Sequence, residues 1–429
     1  MKNFLIVMAC AFLTSKAYSK KIDFPIDRYN EPSSLIWKLL GSENIMNARE
    51  IFENNIMSGE VESQPWAAHY WPYAHGALVA RHGDPGFNNL LRTVNSEQAF
   101  PSIKKYHEDF PSASVSSTHY LSPAEKYDLW IGDENFTLTK SMLEDTSRMY
   151  DQFKKIPSWF GLCHGAAPAS IMLDRPKKFV QVKSPKGHNI TFFPSDIKAL
   201  ATLAWTKKHY RTAGRRCNSS EPDSLSCKDL NPATLHLGLV NQIGRNQRSF
   251  ILDISKNEEV WNHALASYRM KYFNLRDRVS YNTFSENVTP SSLNPLRAAG
   301  TKKLIGVEVT VSYVGTGYTL FRQTDDKKFD PLKTKNYFYD LELDSNDKIL
   351  GGEWLSSDHP DFAWLPSQSE MVATGETPNM PILNSMGQVR SELLTMASGG
   401  IVKGAKYGGY SNYLLPMPSL VKYLIKQAQ

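Results

Sequence analysis

The stretch Trp159-Phe160-Gly161-Leu162-Cys163-His164-Gly165-Ala166-Ala167-Pro168-Ala169-Ser170 constrains the chain most. A cysteine follows a glycine and precedes small, helix-compatible residues, with an aromatic pair upstream. A thiol in the first turn of a helix meets the positive end of the helix dipole and unpaired backbone N–H groups, which favour the thiolate, the nucleophilic form. The plainer reading is a buried structural cysteine, a common fate for this residue type. The surrounding chain has to decide between the two.

A chain of 429 residues has room for roughly two or three domains. Its hydrophobic content of 41% and charged content of 21% are ordinary for a globular protein. The net charge of +6 is modest and spread out. With no arginine-rich arm and no zinc spacing, nothing points to nucleic acid. Beyond the N-terminus no stretch is long and apolar enough to cross a membrane, so stable membrane insertion is not expected.

Residues 1–19 read as a secretory signal peptide: Lys2, an apolar run from Phe4 to Leu13, and Ala17-Tyr18-Ser19 as a small-x-small cleavage site. This implies a secreted or periplasmic protein, soluble rather than lipid-anchored, and Cys10 leaves with the leader. Three cysteines remain. Cys217 and Cys227 flank a short polar loop and are a candidate disulfide in an oxidising compartment, leaving Cys163 free. A pairing that includes Cys163 stays open.

Residues 20–60 read as a pro-region or as the first helices of the fold, around 33–40 and 47–57. Aromatics crowd residues 66–73, including Trp66, Tyr70, Trp71 and Tyr73, and line either a core or a substrate groove. His69 and His75 read as structural. Ser122, Pro123 and Glu125 spell a capped helix start, and a second helix is expected near 140–154. A hairpin is expected at 179–182 and 189–193, then a helix from Pro194 to about Lys208. The runs 233–240 and 249–254 read as strand-like or mixed. Strands are expected at 304–314, 336–343 and 348–354. The acidic Asp344-Ser345-Asn346-Asp347 lacks calcium-loop spacing and reads as a turn. A short helix is expected near 416–426. The fold class read from this pattern is α+β, with a helical N-terminal part and a β-rich C-terminal part. The expected division is a core at 61–300 and a β-rich region packed on it at 301–429.

A thiolate nucleophile needs a proton acceptor, and that base needs an orienting group. His236 sits in the apolar run Ala233–Leu239 and Asp253 in the apolar run Phe250–Ile254. Either is costly to bury without a partner. They are 17 residues apart, with a turn-like Gly244-Arg245-Asn246 between them. On neighbouring strands they would lie side by side, with the imidazole aimed at Cys163.

Several stretches resemble the transglutaminase elicitor family, the secreted calcium-dependent transglutaminases of plant-pathogenic oomycetes and their bacterial relatives. They are Trp159–Ser170, Pro194–Leu200, Cys217-Asn218 with Cys227, Asn231–Gly244, Gly351–Trp354 and His359–Phe362, within roughly residues 65 to 366. Val260-Trp261-Asn262 matches the start of the family's recognised peptide, where His263-Ala264 replace Gln-Pro. The resemblance implies a cysteine-protease-like core, papain- or transglutaminase-like. It implies that Cys163 forms a thioester with a protein glutamine and passes the acyl group to a lysine amine. His236 would serve as base and Asp253 as orienter, with Trp159, Trp66 and Trp71 flanking the substrate channel. Calcium is an implied cofactor without a ligand set. The alternatives are a papain-like peptidase or amidase using the same residues, and a secreted surface protein without enzymatic activity.

Overall fold

The structure is a computed structural model that describes residues 44–206, 210–216, 229–284, 288–289, 297–319, 321–366 and 417–429. The leader, the helix expected near 33–40, and both Cys217 and Cys227 lie outside the described residues.

The first described residues are built into the fold. Helix α1 (Ala48–Glu53) starts with the Asn47 side chain accepting from the Glu50 backbone N–H, and it buries Ala48 and Ile51 against the main sheet. Strand β1 (Ser58–Glu60) pairs antiparallel with a later strand. Residues 44–60 are thus part of the fold. Helices α2 (Pro85–Thr93) and α3 (Phe100–Asp109) follow.

Helix α4 (Pro123–Ile131) has the expected start: Ser122 and Glu125 form a reciprocal capping box, and Gly132 ends it in the left-handed conformation. Asp128 on α4 then caps helix α5 (Thr137–Phe153), accepting from the backbone of Leu138 and Thr139. Helix α6 (Cys163–Met172) begins at the cysteine itself. The hairpin β2 (Val180–Lys183) and β3 (Asn189–Phe192) leads into helix α7 (Pro194–Trp205).

Residues 233–240 depart from the strand-like expectation. They form helix α8 (Pro232–Gly238), continued by a π-helical turn over Leu239–Arg245. The Asn231 side chain accepts from the Ala233 N–H, and Pro232 occupies the first helical position. Those start signals outweigh the apolar run, which a short buried helix and a buried strand share.

One antiparallel sheet organises the rest. Its strands are β4 (Tyr210–Gly214), β5 (Ile251–Asp253), β6 (Asn262–Phe273), β7 (Lys303–Val314), β8 (Leu332–Leu343), β9 (Ile349–Trp354) and β10 (Phe362–Pro366). Their order is β4-β10-β5-β6-β7-β8-β9, with β1 also on β6. Strands β6 and β7 pair from Leu265↔Tyr313 to Phe273↔Gly306. The boundary expected at 300 therefore falls between two neighbours of one sheet. The β8–β9 connection is the tight turn expected: Asp344 accepts from Asn346 and Lys348, and Asp347 binds Arg49 and Lys303.

Two hydrophobic clusters result. One packs α1, α8 and the π-helical turn on the sheet. The other gathers α4, α7, the β2–β3 hairpin, Trp66, Leu162 and the C-terminal helix α9 (Met417–Gln427). Helix α6 spans the seam. On one side Gly165 lets it approach α7, since a Cβ there would lie 2.3 Å from the Thr202 carbonyl oxygen. On the other, Ala167 packs on Ile251 of β5 and Trp364 of β10.

Candidate active site

The chain delivers Cys163 to this seam by backbone contacts. Leu162 N–H donates to the Tyr70 carbonyl at 2.6 Å, tying the start of α6 to the aromatic segment. Gly161 passes under the same segment, where a Cβ would come within 2.5 Å of the Tyr70 oxygen. Cys163 keeps part of its surface open. It lies in a cleft of about 380 Å³ whose walls include Trp66, Tyr70, Ala167, Trp261, Asn262 and His263.

The sulfur is held mainly by β6 and the segment leading into it. The thiol donates to the Val260 carbonyl at 3.5 Å, and the Asn262 carboxamide nitrogen lies 3.7 Å from Sγ. Burial pushes the Cys163 thiol up. The backbone N–H and side chain of Asn262 and the backbone N–H of His164 pull the other way, while the Asp253 charge adds to the rise. Burial wins, so the resting cysteine is a neutral thiol rather than the thiolate that helix position alone suggests.

Asp253 ends β5, directly across from Asn262 in register. Its Oδ1 accepts from the Trp261 N–H at 2.9 Å and the Ser255 hydroxyl at 2.8 Å. Its Oδ2 is buried and has no hydrogen-bond partner among the described residues. Burial raises its pKa from 3.8 to about 6 despite the donors on Oδ1. The site thus holds a carboxyl with one unused oxygen whose charge is felt at the thiol, and such a group can exchange a proton near neutral pH.

His236 is not brought to this site. It lies on α8, fully buried in the sheet cluster. Both ring nitrogens are engaged by tyrosines, Nδ1 with the Tyr339 hydroxyl at 2.9 Å and Nε2 with the Tyr272 hydroxyl at 3.0 Å. Burial lowers its pKa to about 3. Neither nitrogen is left to face Cys163 or Asp253, so the expected strand-borne His–Asp pair gives way to a histidine satisfied in the core. His263 lines the Cys163 cleft. Its Nδ1 lies 2.8 Å from the Val314 carbonyl, and burial lowers its pKa to about 4.

Of the expected channel aromatics, Trp66 lines the cleft, with its indole N–H on the Leu173 carbonyl. Trp71 is buried beside it and lines the neighbouring cavity. Trp159 packs edge-on against Phe160, with Arg216 over its ring, away from the cleft walls. Tyr70 and Trp261, whose ring centroids are 5.4 Å apart, also line the cleft. Tyr70 falls in the aromatic run at 66–73 expected to line a core or a groove, whereas Asn262 and Trp364 were not singled out from the sequence. The Val260-Trp261-Asn262 match is the signal that could have found Asn262.

No group of three or more His, Cys, Asp or Glu side chains among the described residues is arranged to hold a metal ion. No helix among them is long and apolar enough to cross a membrane.

A helix-start thiol with a strand-borne carboxamide against it, and a buried carboxyl on the neighbouring strand whose charge it feels, defines a cysteine-centred site on an α+β scaffold. The chain belongs to the transglutaminase elicitor family, whose model matches residues 144–377, the interval from within α5 to beyond β10. Its fold is similar to that in the crystal structure of the GP42 transglutaminase from Phytophthora sojae. The TM-score is 0.53, with 22% sequence identity over 83% of this chain and 93% of that one. No curated protein matches the chain.

Proposed function

We propose that the protein is a protein-glutamine γ-glutamyltransferase in which Cys163 is the nucleophile and Asp253 the proton carrier. The observation that carries this reading is the buried Oδ2 of Asp253, without a hydrogen-bond partner among the described residues, on a carboxyl whose charge is felt by a partly open thiol at a helix start. Family membership supports the reaction class. The layout, a helix-borne cysteine against strand-borne polar groups, would suit the papain-like core that the family resemblance implies.

In the proposed reaction the Asp253 carboxylate takes the proton of the Cys163 thiol as sulfur bonds to the carboxamide carbon of a substrate glutamine. The tetrahedral adduct then breaks its carbon–nitrogen bond. Asp253 returns the proton, and ammonia departs, leaving a thioester. A lysine amine attacks that thioester and gives a proton to Asp253, which hands it to the departing sulfur. A carboxyl with a pKa of about 6 suits both roles, because a group that gains and loses a proton near the working pH serves as base and acid in turn. Trp66, Tyr70 and Trp261 would exclude water from the thioester. The leader at 1–19 and a Cys217–Cys227 disulfide belong to the same reading, as features of a secreted enzyme acting on proteins that carry glutamine and lysine.

The test offers purified mature protein a glutamine-bearing protein and a fluorescent primary amine, beside a Cys163→Ala control. Amine incorporation that is lost in the control supports the reading. Cleavage or ammonia release without incorporation, again lost in the control, assigns a peptidase or amidase. A thiol that resists labelling in the folded protein points to a non-enzymatic role.

A further inference from the structure

Asn262 contributes two donors to one sulfur. Its backbone N–H bonds the thiol, and its carboxamide nitrogen lies 3.7 Å away. What orients that carboxamide comes from a strand a hundred residues later: the Trp364 indole N–H donates to Asn262 Oδ1 at 2.8 Å, in a buried contact. An indole N–H can only donate, so the group facing it has to be the amide oxygen, and the NH2 is left facing Cys163. That indole contact is buried, so solvent does not compete for the carboxamide oxygen. The backbone N–H of His164 also acts on the thiol, whereas its contact to the Val260 carbonyl serves only the protonated form. Once the proton leaves, the sulfur or the oxyanion formed beside it depends on N–H donors.

Building on the reading of Cys163 as nucleophile, we infer that Asn262 is a catalytic residue that stabilises negative charge at the sulfur and at the adduct oxygen. Trp364 is its positioning residue, acting by locking the carboxamide in the donating orientation. A fixed donor aimed at developing charge costs no reorganisation in the reaction. Removing one such donor lowers kcat by about 100-fold or more.

The experiment compares Trp364→Phe, which keeps a ring but removes the N–H, with Asn262→Ala and the double variant. Two readouts are used: the pH dependence of Cys163 alkylation by iodoacetamide, followed by peptide mass mapping, and kcat and KM for amine incorporation. A melting curve checks folding. For both single variants we expect alkylation at a fixed pH below the thiol pKa to slow about tenfold, in keeping with the loss of a charge-assisted donor. We also expect kcat to fall with KM little changed, and the double variant to be no worse than Asn262→Ala alone, because both changes remove the same interaction. Unchanged alkylation and kcat in Trp364→Phe, or effects that add in the double variant, overturn the inference. The alkylation readout needs no turnover. If amine incorporation is absent in the unaltered protein but the alkylation shifts are found, the reading of the reaction fails while the role of the pair at the thiol stands.

Discussion

Asp253→Asn should make the protein more stable while removing its activity. The carboxyl is fully buried, and its pKa rises from 3.8 to about 6. Because the folded-state value lies above the unfolded one, the folded protein holds this proton more tightly than the unfolded chain does. The stabilisation linked to the proton is fully present below about pH 3.8 and is lost as pH rises through about 6. Above that range the ionised carboxylate lowers stability by about 3 kcal/mol relative to its neutral form, at 1.36 kcal/mol per pKa unit. Asparagine resembles the neutral form at every pH. Urea denaturation should therefore find Asp253→Asn more stable than the unaltered protein by about 3 kcal/mol at pH 7.5, the gap narrowing to about 1 kcal/mol at pH 4.5. Other titrating groups are common to both proteins and cancel in the difference. A gap that does not change with pH, or a variant less stable at pH 7.5, would refute the account of Asp253 as a buried carboxylate held out of its preferred state for function.

Three further substitutions separate structural from functional residues. His236→Leu leaves the buried hydroxyls of Tyr272 and Tyr339 without their shared partner, and should cost about 3 kcal/mol in urea denaturation. The folded fraction should keep its kcat within a few-fold; a collapse of kcat with stability intact would return His236 to the role of base. His263→Gln should retain most amine incorporation, whereas complete loss would make the cleft histidine the proton carrier in place of Asp253. Gly165→Ala forces a methyl against the Thr202 carbonyl and should destabilise by about 1–3 kcal/mol, read as a lowered melting temperature.

The parts of this fold that could be read from the chain are those set by local chemistry. The capping box at Ser122 and Glu125, the β2–β3 hairpin and strands β7 to β9 each follow from turn residues, caps or alternation within a short window. Helix α8 was hidden because its seven residues are all buried, and such a run carries no period that separates helix from strand. The rule that a buried charged or polar side chain needs a partner picked out both Asp253 and His236. It cannot say which partner, and the two diverge there: two tyrosine hydroxyls satisfy the histidine, while one oxygen of the aspartate is left over. The Asn262–Trp364 contact spans 102 residues and exists only because β5 lies between β6 and β10. No local pattern encodes it.

Acid-quenched mass spectrometry shows whether Cys163 carries the acyl group. The protein would be mixed with a glutamine peptide in the absence of any amine, quenched, and the Cys163-containing fragment weighed. An adduct of the peptide minus ammonia is expected on Cys163, discharged when a primary amine is added before quenching. A glutamine peptide cut or deamidated while Cys163 stays unmodified, or an adduct that survives in Cys163→Ala, would contradict it.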